Sequence, residues 1–125
     1  MTISVSEIEK ALASLELALN EPLDEFVRDA CIQRFEYTFE LAWKLAKRAL
    51  EYQGIISVSP RTVFRDCGQQ GLISDVELWL RFLDDRNLTT HTYNEKTAHD
   101  VYETAKEFAQ ECRKLILKVK TLTKK

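Results

Sequence analysis

The chain has 125 residues, a formal net charge of −2, and only three glycines and two prolines. A chain of this length fits one domain, and its 45% apolar residues are enough for a substantial core. The scarcity of Gly and Pro argues against a fold rich in β-turns. The small negative charge excludes a basic field over the whole surface, so any contact with nucleic acid must come from a local patch.

Three widely spaced cysteines, Cys31, Cys67 and Cys112, indicate free thiols in a reducing compartment, because their number is odd and no CxxC spacing occurs. The N-terminus lacks an apolar segment behind a basic start, so we predict no signal peptide. No apolar run is long enough to span a membrane. We therefore expect a cytoplasmic protein with no membrane partner.

Helical periodicity dominates the first half of the chain. Apolar residues from Val5 to Leu19 recur at steps of three and four, and Ser6 with Glu9 predicts a capping box before them. A longer helix is predicted from about residue 23 to 53, with Gly54 after its end. Large side chains widen the apolar stripe of this second helix, which indicates a central position in the fold.

A short helix is predicted after an extended connection. Ser59 and Pro60 suit its N-cap and first position, and it should continue to about Cys67. Gly68 and Gly71 are predicted to end it.

The fourth helix is predicted from a second capping box, Ser74 with Glu77. It should weaken at residues 89–92, where β-branched residues cluster. Asn94 or Thr97 then caps a long last helix whose apolar residues again step by three and four.

Four long amphipathic helices and one short one, joined by short connections, predict an all-α fold. We expect an antiparallel up-and-down four-helix bundle with one additional short helix. The sequence shows no internal repeat, low-complexity stretch or linker, so residues 1–125 are predicted to form a single domain.

One segment, residues 86–93, combines a cation, an amide, hydroxyls, an imidazole and a phenol where one helix should fail and the next has not begun. Arg86 suits phosphate, because its planar guanidinium stays charged and binds two oxygens. A histidine such as His91 suits proton transfer near neutral pH. Together they would cleave a phosphodiester without metal, His91 acting on the attacking hydroxyl or the leaving group and Arg86 holding the developing negative charge.

Helix geometry limits this interpretation. Residues five apart on a continuous helix lie about 140° apart, so Arg86 and His91 would not share a face. Tyr93 would fall back near the face of Arg86. Either the backbone turns at Thr89 and Thr90, or two chains supply one composite site. The alternative without function is an exposed Arg and His at a helix end, although Asn87 after the Arg and Tyr93 after the His make the pattern rarer.

Other polar groups give weaker indications. Glu36 and Glu40 share a face of the second helix, but no His lies nearby to complete a metal site, so we predict no metal. No Gly-rich phosphate loop occurs, so the chain is not itself an ATP-binding transferase and no cofactor is predicted. The basic C-terminal residues are favoured by the helix macrodipole, with docking of RNA or a protein partner as the alternative. They are Arg113, Lys114, Lys118, Lys120, Lys124 and Lys125.

Residues 86–93 resemble the R-x4-H-x-Y motif of HEPN toxins, and Asn87 matches the polar residue that commonly follows the arginine there. Residues 35–44 and 59–65, the latter followed by a turn at 68–73, are similar to the branch of that superfamily named nucleotidyltransferase substrate-binding proteins. The similarity covers nearly the whole chain, and these segments are specific in combination.

The resemblance implies a HEPN-type helical bundle that forms a homodimer with both motifs facing a shared cleft, and a minimal nucleotidyltransferase antitoxin encoded nearby. In toxin members the Arg and His form a metal-independent ribonuclease site. Arg86 would then bind phosphate, His91 would be the general base and Asn87 would support the site. In members with the R-x4-H-x-Y motif the antitoxin transfers AMP from ATP to the tyrosine, so Tyr93 would be the AMP acceptor.

Three hypotheses about function therefore stay open. The chain is a HEPN ribonuclease toxin silenced by AMP transfer to Tyr93, a non-catalytic substrate-binding subunit of a two-component nucleotidyltransferase, or an inert helical scaffold. The first two share the fold, the homodimer and the partner, and they differ only in whether this chain breaks bonds in RNA.

Overall fold

A computed structural model describes residues 3–123, and within that range every regular element is helical. A 3₁₀ turn (Thr89–His91) lies between the last two of the five α-helices. This confirms the predicted all-α class, with α3 as the additional short helix. The helices are α1 (Ser6–Leu19), α2 (Glu25–Tyr52), α3 (Pro60–Gln69), α4 (Val76–Asn87) and α5 (Glu95–Thr123).

Helix α2 is the centre of the fold, as its wide apolar stripe predicted, because it contacts each of the other four helices and the 3₁₀ turn. Its inner face carries two phenylalanines followed by three alanines at steps of three and four, and these side chains are fully buried. The alanines let neighbouring helices approach closely, while the aromatic rings fill the space between helices. This face carries Phe35, Phe39, Ala42, Ala46 and Ala49.

Phe108 of α5 lies in the middle of an aromatic cluster that joins three helices. Its ring centroid is 5.2 Å from Phe35 and 5.9 Å from Phe39 of α2, and 5.9 Å from Trp79 and 5.6 Å from Phe82 of α4. Three of these contacts are edge-on and one is tilted, which are arrangements favoured by the ring quadrupoles. The cluster therefore fixes α4 and α5 against the middle of α2.

Two of the predicted helix starts are wrong by one residue. Ser6 is already the first residue of α1, and Val5 occupies the N-cap without any side-chain hydrogen bond. Val5 packs against the core, so burial rather than capping by Ser6 and Glu9 sets this start. At α4 the cap is Asp75 instead of Ser74, and its carboxylate accepts a hydrogen bond of 3.0 Å from a backbone N–H three residues on.

The other predicted caps are confirmed. Ser59 caps α3 in a capping box that it shares with Thr62, followed by Pro60 at the first helical position. Asn94 precedes α5, and its side-chain oxygen accepts a hydrogen bond of 3.1 Å from the backbone N–H of Thr97. The α3–α5 half of the chain is therefore delimited largely by local chemistry.

Gly68 does not end α3, in contrast to the prediction. It lies inside the helix, where an added Cβ would collide with the side chain of Val76 at the start of α4. This glycine therefore permits close contact between α3 and α4. The chain leaves α3 at Gly71, whose φ of +75° lies in the left-handed region that glycine tolerates.

Cys31, Cys67 and Cys112 are buried and none forms a disulfide, which confirms the prediction of free thiols. Burial raises the pKa of the Cys67 thiol to about 12, so it stays protonated at neutral pH. Among residues 3–123, no helix combines the length and the apolar character needed to cross a bilayer.

The central position of Phe108 predicts a large loss of stability when its ring is removed. Phe108→Ala should lower the free energy of unfolding by about 3–5 kcal/mol, because the cavity would open where three helices meet. Leu117→Ala on the same helix is the matched control, since Leu117 is 58% exposed and should change stability by about 0.5 kcal/mol or less. Urea unfolding of both variants measures the difference, and equal losses would contradict the central role of the cluster.

Candidate active site at the α4–α5 connection

The segment with the predicted motif lies where the chain changes direction between α4 and α5. Helix α4 ends at Asn87, Leu88 caps it, and the 3₁₀ turn follows directly. The turn is closed by a hydrogen bond of 2.9 Å from the His91 N–H to the Leu88 carbonyl. The backbone break predicted at Thr89 and Thr90 is therefore present, and one chain is enough to reorient His91 relative to Arg86.

Arg86 is held against α2 by a carboxylate. Its guanidinium forms a charged hydrogen bond with Glu40, and a second N–H donates to the side-chain oxygen of Asn87 at 3.3 Å. The guanidinium carbon lies 5.9 Å from the centroid of the Phe39 ring. The side chain is 29% exposed, so Arg86 is anchored in the protein while part of it still faces solvent.

Glu40 stays ionised beside this arginine. Partial burial acts to raise the pKa of the Glu40 carboxyl, but the hydrogen bond from Arg86, the indole N–H of Trp43 and the charges of Arg86 and Lys44 together outweigh burial and hold that pKa below its usual range. The ammonium group of Lys44 lies 3.7 Å from the other carboxylate oxygen and adds to this effect. Glu40 is therefore an anion at neutral pH.

A second carboxylate of α2 holds the next part of the motif. The Thr89 hydroxyl lies 2.8 Å from an oxygen of Glu36 and 2.8 Å from the Arg86 carbonyl, and it can donate to either. Glu36 and Glu40 are one helical turn apart, so together they tie both ends of residues 86–89 to α2. The sequence showed their common face, but their partners are far away along the chain.

His91 and Tyr93 form a second pair, on the outside of the turn. The Nδ1 atom of His91 lies 3.3 Å from the Tyr93 hydroxyl, and either group can be the donor, depending on the tautomer. The rings are nearly perpendicular, with centroids 5.9 Å apart. His91 is exposed and Tyr93 is 83% exposed, so both are open to a substrate or a protein partner.

The motif therefore forms two local pairs. Arg86 contacts Asn87, and His91 contacts Tyr93; no hydrogen bond links one pair to the other among the described residues. Tyr93 approaches His91 instead of the Arg86 face, because the 3₁₀ turn replaces the continuous helix that would have brought it back. A phosphate group must lie between the two pairs to contact both.

A polar groove of about 380 Å³ adjoins Tyr93 and runs between the first half of α2 and the start of α5. Four carboxylates line it, whereas its one cation, Arg28, donates hydrogen bonds of 2.8 and 3.2 Å to one of them, Glu95. The groove is therefore acidic and repels phosphate. The other lining carboxylates are Glu25, Asp29 and Glu36.

Within residues 3–123, no three His, Cys, Asp or Glu side chains are arranged to hold a metal ion. The basic residues of α5 are largely used in ion pairs with neighbouring carboxylates. Arg113 binds Glu16, Lys114 binds Glu111 at 2.9 Å and Lys120 binds Glu9 at 2.6 Å. These pairs favour the interpretation of a solvated helix face rather than that of a nucleic-acid surface. Lys124 and Lys125 lie outside the described residues.

Comparisons with known proteins agree with this fold. A family model described as "nucleotidyltransferase substrate binding protein like" matches residues 4–121. The probable ribonuclease HepT of Haemophilus influenzae is 34% identical over 82 residues, which are 62% of this chain and 56% of that protein. The chain therefore matches just over half the length of this curated relative.

Two solved structures are similar over nearly their whole length. A crystal structure of a Thermus thermophilus protein matches with a TM-score of 0.84 at 40% identity, covering 90% of this chain and 98% of that chain. The structure of HI0074 from Haemophilus influenzae also matches with a TM-score of 0.84 at 26% identity, covering 94% of this chain and 99% of that chain. HI0074 is described as having the fold of a substrate-binding domain of a nucleotidyltransferase.

Proposed function

The chain belongs to the family of nucleotidyltransferase substrate-binding proteins within the HEPN superfamily, and we propose that it is a metal-independent ribonuclease toxin controlled by a partner nucleotidyltransferase. The observation that carries this proposal is the arrangement of residues 86–93. An anchored, always charged arginine and an exposed histidine lie on either side of a backbone turn, with Asn87 bonded to the arginine. The similarity to a probable ribonuclease supports it further.

The proposed reaction needs one group that transfers a proton and one group that stabilises negative charge. His91 takes the proton from a ribose 2′-hydroxyl, the 2′-oxygen attacks the adjacent phosphorus, and the bond from phosphorus to the 5′-oxygen breaks. The proton is returned to the departing 5′-oxygen. Arg86 donates to the phosphate oxygens, on which negative charge grows in the transition state.

A homodimer in the cytoplasm is part of the proposal. Two large side chains of the motif segment are exposed, Leu88 by 41% and Tyr93 by 83%. A second copy that covers them would remove apolar surface from water and bring a second Arg86 and His91 to the same cleft. Single-stranded RNA could then contact basic and imidazole groups from both chains, which would compensate for the acidic groove nearby.

Tyr93 is the proposed point of control. Its exposed hydroxyl can attack the α-phosphorus of ATP bound to the antitoxin, which forms a phosphodiester to AMP and releases pyrophosphate. The modified tyrosine then carries a negative charge and a nucleoside beside His91, because the Tyr93 hydroxyl lies 3.3 Å from Nδ1 of His91 before modification. Both the charge and the bulk would keep RNA phosphate away from Arg86 and His91.

The groove beside Tyr93 favours a second candidate function. Its polar lining and volume suit a small polar ligand, and HI0074 is described as a substrate-binding domain of a nucleotidyltransferase. In this alternative the chain presents a substrate to its partner and does not cut RNA.

Cleavage of RNA in EDTA separates these functions. The purified chain should cleave single-stranded RNA, and chelation should leave the rate unchanged because no step uses a metal. The cleavage rate of the Arg86→Ala, His91→Ala double variant should fall by about 2–4 orders of magnitude. Gel analysis of products measures both, with Lys118→Ala as a surface control. Equal cleavage by parent and double variant would reject the ribonuclease, and no cleavage by either would favour the substrate-binding subunit.

Incubation with the partner nucleotidyltransferase and ATP tests the role of Tyr93. Intact mass should rise by one AMP on the parent, and RNA cleavage should fall in parallel. Tyr93→Phe should gain no AMP and should keep its cleavage activity in the presence of partner and ATP, because only the acceptor oxygen is missing. Tyr37→Phe, which removes another partly exposed phenol, is the control and should be modified like the parent. Modification of Tyr93→Phe would place the acceptor elsewhere.

A further inference from the structure

Glu40 is the one carboxylate paired with Arg86 among the described residues, and it belongs to a different helix. Its backbone is fixed by the buried residues on either side, since Phe39 is fully buried and Ala42 of the same helix is as well. The position of the carboxylate is therefore set by the core of the protein. Through the ion pair, α2 sets where the guanidinium of Arg86 lies.

The hydrogen bonds leave Arg86 with free donors. An arginine has five N–H groups, one on Nε and two on each terminal nitrogen. Nε is buried without a partner, one terminal N–H is bound by Glu40 and one on the other terminal nitrogen by Asn87. One N–H on each terminal nitrogen stays available, which is the number that a bidentate contact with phosphate needs. Arg86 can thus keep Glu40 and bind phosphate at the same time.

Glu40 also changes the charge that a phosphate meets. An ionised carboxylate in contact with the guanidinium offsets part of its attraction for an anion. Lys44 approaches the same carboxylate at 3.7 Å but is bound less closely than Arg86. The pair therefore has two opposite effects on a bound RNA, since it holds Arg86 in one orientation and weakens its electrostatic pull.

We propose that Glu40 is a positioning residue for Arg86. It fixes the orientation of the guanidinium for the transition state, and at the same time it lowers the affinity of Arg86 for the RNA phosphate. This inference rests on the proposed ribonuclease function. Orientation matters more in the transition state than in binding, because only there must the free N–H groups match the developing charge. Loss of Glu40 should therefore slow the chemical step while it strengthens binding.

Glu40→Gln tests the proposal because it keeps the size and removes the charge. With a cleavable single-stranded RNA, kcat should fall by about tenfold or more and KM should not rise. Glu51→Gln is the matched control, since it makes the same change on an exposed residue about three turns along α2, and it should keep the parent's kcat. A parent-like kcat in Glu40→Gln overturns the proposal, and so does a fall in kcat accompanied by a weaker affinity.

A binding cycle tests the action of Glu40 through Arg86 separately from the chemical step. The probe is the same RNA with 2′-O-methyl groups throughout, which cannot be cleaved by attack of a 2′-hydroxyl. Glu40→Gln should lower the Kd for this probe a few-fold in the parent and leave it unchanged in Arg86→Ala, because the carboxylate acts through Arg86. An equal effect in both backgrounds, or none, overturns the proposal. Absence of cleavage by the parent rejects the proposed ribonuclease and, with it, the role of Glu40 in the transition state, whereas a failed binding cycle with a parent that cleaves rejects only the role of Glu40.

Discussion

Burial of Phe35 and Phe39 against Phe108 fixes the rotation of α2 about its axis. Successive residues of a helix are turned by about 100°, so the residue after each phenylalanine emerges at the edge of the buried stripe. Those two residues are Glu36 and Glu40, and both hold the segment that carries the motif. The same packing that stabilises the fold therefore delivers two carboxylates to the candidate site. A change in the core beneath them would move Arg86 as well.

The helices could be predicted because their patterns are local. Steps of three and four marked the periodic segments, and Ser59 and Asn94 cap α3 and α5 by hydrogen bonds within three residues. The predicted cap of α4, Ser74, was wrong by one residue, because serine and aspartate are both good caps and local rules do not separate Ser74 from the Asp75 that caps the helix. The role of Gly68 could not be predicted from local sequence, because it depends on contact with another helix.

The candidate site was predictable in part for the same reason. The cluster of β-branched residues at 89–92 predicted the break that separates Arg86 from His91, and a 3₁₀ turn lies there. The partners of the motif were not predictable, because Glu40 and Arg86 are 46 positions apart and only the packing of α2 brings them together. The approach of Tyr93 to His91 likewise depends on the path of the backbone through the turn. The roles assigned to these residues in RNA cleavage and its control remain proposals.

A crystal structure of the chain with a short 2′-O-methylated RNA would test the proposed ribonuclease site most directly. We expect one phosphate bound by both terminal nitrogens of Arg86, with the ion pair to Glu40 intact. We also expect a ring nitrogen of His91 within hydrogen-bond reach of the neighbouring 2′-oxygen, either from the same chain or from a second copy. RNA bound away from residues 86–93, or a phosphate that has displaced Glu40 from Arg86, would contradict the proposed site.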